Sequence, residues 1–267
     1  MKSQVEITDE LQNKFEMYLK THCVVSNTIP NQFIRILKTH KGIINFNEIN
    51  NDNYIELRNP LIVVLGDSVT AGHFEIVDFE NMIIAQDLQD GYVEKFKHML
   101  HDQYCFVTLN IVNSGIAGDN IEGMYKRLKR DVISFQPDLV IINATLNWSK
   151  NRGSLKDYRF YFEKVIQTIQ LQTNAEIILM TPNGAIQTEK DQNLNERVQI
   201  VRGLSNKYHT TLVDIYQMWK DVVGDDVKKS LSNGENHPTP LGHTIIAKAL
   251  MQAFKEGINE KNRTIIE

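Results

Sequence analysis

The segment Gly66-Asp67-Ser68-Val69-Thr70-Ala71-Gly72 follows directly on the apolar run Leu61 to Leu65 (LIVVL). A serine leaving a buried parallel strand can present its hydroxyl at the carboxyl edge of the sheet, where α/β folds bind ligands, and Gly66 permits the tight exit. Gly, Asp and Ser also build ordinary turns, so this segment gains chemical meaning only from others like it. Three more polar segments supply that support. Asn113-Ser114-Gly115-Ile116-Ala117-Gly118-Asp119-Asn120 is a glycine-punctuated loop whose backbone amides could point at an anion. Asn143-Ala144-Thr145-Leu146-Asn147-Trp148 follows the third apolar run and offers Asn147 as a neutral side-chain donor at the same edge. The last, Asn236-His237-Pro238-Thr239-Pro240-Leu241-Gly242-His243, brings a histidine, which titrates near working pH.

In this order, and after these strands, the four segments resemble the blocks of the SGNH (GDSL-type) hydrolases, with Ser68, Gly118, Asn147 and His237 at the matching positions. The resemblance covers about Leu61 to Phe254. It implies a flavodoxin-like three-layer α/β/α fold in which Ser68 attacks an acyl ester and His237 takes its proton. The oxyanion would be held by the Ser68 amide, the Gly118 amide and the Asn147 side chain. Each such donor is worth roughly 3 to 4 kcal/mol of transition-state stabilisation, so the chemistry requires no metal or organic cofactor.

Two departures from the family pattern stand out. The third block usually reads Gly-x-Asn-Asp but here is Thr145-Leu146-Asn147-Trp148, which keeps the donor and sets Trp148 as an apolar or stacking wall for the acyl or sugar group. The family also places an aspartate three positions before the histidine, and that position is Gly234. A Ser-His dyad, or a histidine held by a backbone carbonyl, is then the expected arrangement, with Glu235 the nearest carboxylate able to serve as orienting acid. His73 is a candidate to line the pocket and contact substrate. His243 is expected to satisfy a local hydrogen bond, Asp67 to support its turn, and Asp119 with Asn120 to cap the following helix.

These segments must be positioned by an alternation of buried strands and amphipathic helices. Apolar runs at Leu61–Leu65, Phe106–Val112, Leu139–Asn143, Glu176–Met180 and Thr211–Asp214 are separated by stretches of helical length, which predicts a parallel sheet covered on both faces. Tyr92, Phe96, Met99 and Leu100 share one helical face, as do Leu155, Phe162, Val165, Ile166 and Ile169. A last helix from about Pro240 to Phe254 has Thr239 as its cap and Pro240 in its first turn. The first residues do not alternate: a helix over about Asp9–Leu19 precedes Asn-rich short strands around Ile43–Leu57. Residues 1–58 therefore read as an N-terminal appendage on a hydrolase domain of residues 59–267, and a shallow site beside it could use it to complete the pocket or to form a homo-oligomer.

Composition narrows the partners. The chain has 267 residues, 42% hydrophobic and 23% charged, with a formal net charge of -4, which suits one large soluble α/β domain and gives no positive field for nucleic acid. No apolar run spans a bilayer and no leader is visible, so no membrane partner and a cytoplasmic location are expected. Cys23 and Cys105 form neither a disulfide framework nor a metal pair. His-Glu-x-x-His, Gly-x-Gly-x-x-Gly, the phosphate-cradling Gly-Lys-Ser/Thr loop and the Gly-x-Ser-x-Gly elbow are all absent from the sequence, which disfavours metalloproteases, nucleotide binders and α/β-hydrolases of the elbow type. The expected activity is hydrolysis of a short-chain acyl ester, such as acetyl, on a carbohydrate or other small soluble substrate. The alternatives are a catalytically degenerate carbohydrate- or partner-binding protein on the same scaffold, or an acyl-thioesterase or lysophospholipase.

Overall fold

The five residues Leu61 to Leu65 send alternate side chains to opposite sides, and both sides are buried, so no polar residue is tolerated on either. Ile62 and Val64 enter one core, Val63 and Leu65 the other. In the computed structural model, which describes residues 4–39, 58–78, 83–104, 107–149, 151–184, 188–223 and 237–255, this pattern sets the architecture. In chain order the elements are α1 (Gln4–Thr21), β1 (Val25–Ser26), α2 (Asn31–Thr39), β2 (Leu61–Gly66), β3 (His73–Asp78), β4 (Ile83–Gln86), α3 (Tyr92–Gln103), β5 (Asn110–Gly115) and α4 (Ile121–Asp131). There follow β6 (Leu139–Asn143), α5 (Leu155–Gln172), β7 (Glu176–Met180), α6 (Thr188–Tyr208), β8 (Thr211–Val213), α7 (Ile215–Val223) and α8 (Pro240–Met251).

The main sheet has six strands in the order β1-β8-β7-β6-β2-β5, all parallel except β1, which pairs antiparallel with β8. Counted along the chain, its five parallel strands lie in the flavodoxin-like order 2-1-3-4-5, whose direction of winding reverses between β2 and β6. One face is covered by α1, α2, α3, α7 and α8 and the other by α4, α5 and α6, which is the expected three-layer α/β/α arrangement. Among the described residues no helix is long and apolar enough to cross a membrane.

The expected strands match the observed ones except the second. It was expected over Phe106–Val112, but Asn110–Gly115 forms β5, while Val107 and Leu109 are buried just before it. As the edge strand, β5 is only partly covered, so its sequence NIVNSG lacks an apolar run. The first helix is longer than expected, and α2 and the β3–β4 hairpin were not anticipated. The strands expected around Ile43–Leu57 lie outside the described residues. At the C-terminal end Thr239 caps α8, its Oγ1 accepting the Gly242 N–H at 3.2 Å, with Pro240 at the first position.

Candidate active site

Ser68 sits in the turn leaving β2, at the point where the sheet's winding reverses. The turn is closed by Ala71 N–H donating to the Asp67 carbonyl (2.9 Å) and His73 N–H donating to the Ser68 carbonyl (2.9 Å). The Asp67 side chain is fully buried beneath it and accepts the Val69 N–H through Oδ1 at 3.0 Å, as expected of a turn support. Its Oδ2 finds no partner among the described residues, and burial pushes the carboxyl up to about 7 against the pull of the Val69 amide.

Ser68 Oγ lies 2.9 Å from Nε2 of His237, a residue separated from it by most of the chain and held at the start of α8. Burial, and after it the proximity of His73, lowers the pKa of His237 to about 4, so the ring is neutral near pH 7 and has a lone pair to offer. The His73 ring centroid is 6.0 Å from that of His237. Its Nδ1 reaches the Ser68 carbonyl at 3.2 Å, and because a carbonyl only accepts, Nδ1 must carry the hydrogen. His243 is buried beneath this pair: it accepts the Tyr92 N–H at Nδ1 (3.1 Å), which leaves Nε2–H to donate to the His73 carbonyl (3.1 Å). Burial lowers its pKa to about 4 as well, so this tautomer persists. His243 therefore supports the backbone under the site through partners 151 and 170 positions away in the chain, rather than through the local hydrogen bond expected of it.

The loop after β5 forms the other wall. Gly118 has φ +73°, a left-handed conformation that glycine adopts without strain. The Asn147 amide, beyond the end of β6, donates one hydrogen to the Asp119 carbonyl (3.0 Å), which ties it to this loop and leaves its second hydrogen to face elsewhere. Asn120 caps α4, its Oδ1 accepting from Glu122 N–H (2.9 Å) and Gly123 N–H (3.3 Å). Asn113 bridges the two walls, donating to the Thr70 carbonyl (2.8 Å) and accepting the Gly115 N–H (3.0 Å).

Ser68 and His237 are thus in direct contact, with His73 beside them, and Gly118 and Asn147 meet across Asp119. Trp148 is placed differently from expectation. It is 3% exposed and packs in the core against Tyr158 and Tyr161, with ring centroids 5.7 and 6.3 Å away, so it offers no open face to a substrate. The loop folds down on it, since a Cβ at Gly153 would come within 2.9 Å of its ring. Glu235 and Gly234 lie outside the described residues. Among the described residues, no three His, Cys, Asp or Glu side chains converge as a metal site. Sequence reasoning missed Asn113, Tyr92 and Arg127; the first stood inside a quoted segment, but nothing in its type marked it as a bridge.

A serine hydroxyl bonded to a neutral histidine, at the switch point of a doubly wound parallel sheet, is an arrangement for acyl transfer. Residues 64–245 match the GDSL-like Lipase/Acylhydrolase family, and the chain belongs to that family, as an ester-hydrolysing serine hydrolase. It is similar to the acetylxylan esterase of Geobacillus stearothermophilus, with 26% identity over 203 residues, which are 72% of this chain and 92% of the relative. A solved structure of an acetylxylan esterase from that organism superposes with a TM-score of 0.62 at 22% identity, covering 73% of this chain and 94% of the other. An alpha/beta hydrolase enzyme from the metagenome of Lake Arreo superposes with a TM-score of 0.62 at 19% identity, over the same shares. Solved catalytic variants of the Geobacillus esterase replace a serine, an aspartate, or a histidine three positions after that aspartate.

Proposed function

We propose that the protein is a deacetylating esterase acting on acetylated carbohydrate, with Ser68 as nucleophile and His237 as general base. The observation that carries this reading is the 2.9 Å contact between Ser68 Oγ and His237 Nε2 in the turn at the carboxyl edge of the sheet. His237 Nε2 takes the hydroxyl proton as Oγ attacks the acyl carbon. The amides of Ser68 and Gly118 and the free hydrogen of Asn147 stabilise the oxyanion. Collapse breaks the ester bond, His237 returns the proton to the leaving alcohol, and water, deprotonated by the same ring, releases the acid. His73, whose ring stands beside that of His237, lines the pocket.

The acetyl and carbohydrate preferences are supported by the name of the relative, an acetylxylan esterase. One feature departs from that enzyme. The aspartate three positions before its catalytic histidine has Gly234 as its counterpart here, so the pair works as a dyad, with Glu235 in a minor orienting role. The test is turnover of p-nitrophenyl acetate and of acetylated xylo-oligosaccharide, with a fluorophosphonate to label the reactive serine. Ser68→Ala and His237→Ala are each expected to lose at least about 10³-fold in kcat, and the label to fall on Ser68. Faster hydrolysis of p-nitrophenyl octanoate than of the acetate would contradict the short-acyl preference. Glu235→Gln is expected to lose less than about tenfold; a loss near 10⁴-fold, the size seen when a triad acid is removed, would make it the third member.

A further inference from the structure

We propose that Arg127 is a positioning residue for the oxyanion hole, a role that rests on the site reading given above. Its side chain is 9% exposed, and its guanidinium is divided among groups from several parts of the chain. Nε donates to Asp119 Oδ2 (2.7 Å), and Nη2 to the Gly66 carbonyl (2.9 Å). Nη1 reaches the Ser114 carbonyl (3.0 Å), Ser114 Oγ (2.8 Å) and Asp131 Oδ2 (2.5 Å).

An arginine that merely stabilised α4 would need only Asp131, four residues on along the same helix face. Instead, most of its donors go to the points where the site leaves the sheet. Gly66 ends β2 two residues before Ser68, and its carbonyl also accepts the Ile116 N–H (3.1 Å), so Arg127 adds a second tie between the nucleophile turn and the loop bearing Gly118. Ser114 lies at the end of β5, where that loop begins. Asp119 is the hub of the loop. Its Oδ1 accepts the Asn120 N–H (2.8 Å), and its own carbonyl holds the Asn147 amide (3.0 Å). A continuous path of bonds therefore runs from Arg127 through Asp119 to Asn147, and every proposed oxyanion donor lies within two residues of, or bonded to, a group that this path restrains.

Lysine cannot replace the arrangement, because its donors radiate from one atom and cannot reach acceptors on three segments at once. With Arg127→Lys the Gly118 loop and the Asn147 amide should drift relative to Ser68, and a misplacement near 1 Å at reacting groups costs about 10²-fold in rate. The experiment measures kcat and KM on p-nitrophenyl acetate per active site, counted by fluorophosphonate titration to completion, together with the Kd of a phenylboronic acid, whose adduct with the serine places an oxygen in the hole. Arg127→Lys is expected to lower kcat by about 10²-fold, to leave KM within about threefold and to weaken boronate binding by a similar factor. Asp131→Asn, which weakens the helix partner of Arg127 and its bond to Ser114 but leaves the Asp119 and Gly66 ties in place, should lower Tm but keep kcat within about twofold. If Arg127→Lys does not fold, Asp119→Asn takes its place, with the same split between kcat and KM expected at about tenfold. Wild-type kcat and boronate affinity in Arg127→Lys, or in Asp119→Asn where the lysine variant fails to fold, or an equal kcat loss in Asp131→Asn, overturns the proposal while leaving the esterase reading intact. A wild-type protein with neither turnover nor label at Ser68 overturns both.

Discussion

At the scale of single residues, the proposed base is unusual in how it is tuned. His237 is pushed down to about 4 by burial, and then by His73. A base must be unprotonated to accept the serine proton, so kcat/KM should be flat through neutral pH and fall only as pH drops through about 4, rather than near the ordinary 6.5. Removing His73 takes away the repulsion and part of the cover, so His73→Ala should move this acid limb upward. A profile of kcat/KM between pH 3.5 and 8 in both proteins measures it; an inflection near 6.5 in the wild type would show that burial does not govern the ring. Ser68, Gly118, Asn147 and His237 could be picked out from sequence because their segments are short, polar and set at strand ends. Trp148 was misread because a large aromatic beside a donor looks like a wall, whereas the apolar residues of α5 draw it inward, and burial is decided by partners far along the chain. Arg127 gave no signal at all: in the run Lys126-Arg127-Leu128-Lys129-Arg130 only the fold distinguishes the one cation that turns inward.

At the scale of elements, β2 and β6 were legible since both of their faces are buried, and β5 was misplaced since an edge strand need not be apolar. The close fit between β5 and the Ser68 turn is likewise invisible in sequence. A Cβ at Gly115 would lie 2.3 Å from the Ala71 backbone nitrogen, whereas one at Gly118 meets nothing within 4 Å. The two substitutions should therefore separate by cause. Gly118→Ala pays only for its left-handed backbone, about 1 kcal/mol. Gly115→Ala must push two backbones apart, at about 3 kcal/mol. Urea unfolding monitored by circular dichroism compares them, and equal losses would mean that the turn yields freely to β5.

At the scale of the whole molecule, the N-terminal residues are joined to the rest of the fold at several points. β1 pairs with β8, and Phe15 of α1 lies against Trp219 of α7 with ring centroids 5.3 Å apart. Gln252, just after α8, fastens this region: its carboxamide accepts the Val24 N–H (2.8 Å) and donates to the Leu19 (2.8 Å) and His22 (3.0 Å) carbonyls. Gln252→Leu strands all three backbone groups and should cost about 3 kcal/mol, read as a lower urea midpoint with catalysis per folded molecule unchanged. A neutral result would mean that water reaches these groups and the join is loose.

The two tryptophans of the chain divide between the two faces of the sheet, Trp219 beside α1 and Trp148 one residue beyond Asn147. Both are nearly inaccessible, at 1% and 3% exposure. Their emission should accordingly be blue-shifted and resist quenching by iodide, and in Trp219→Phe the remaining light comes from Trp148 alone. That indole lies beneath the loop holding Gly153 and follows Asn147 directly in the chain, so its fluorescence offers a label-free optical gauge of the segment that carries the proposed oxyanion donor, to be watched in real time as an ester is added.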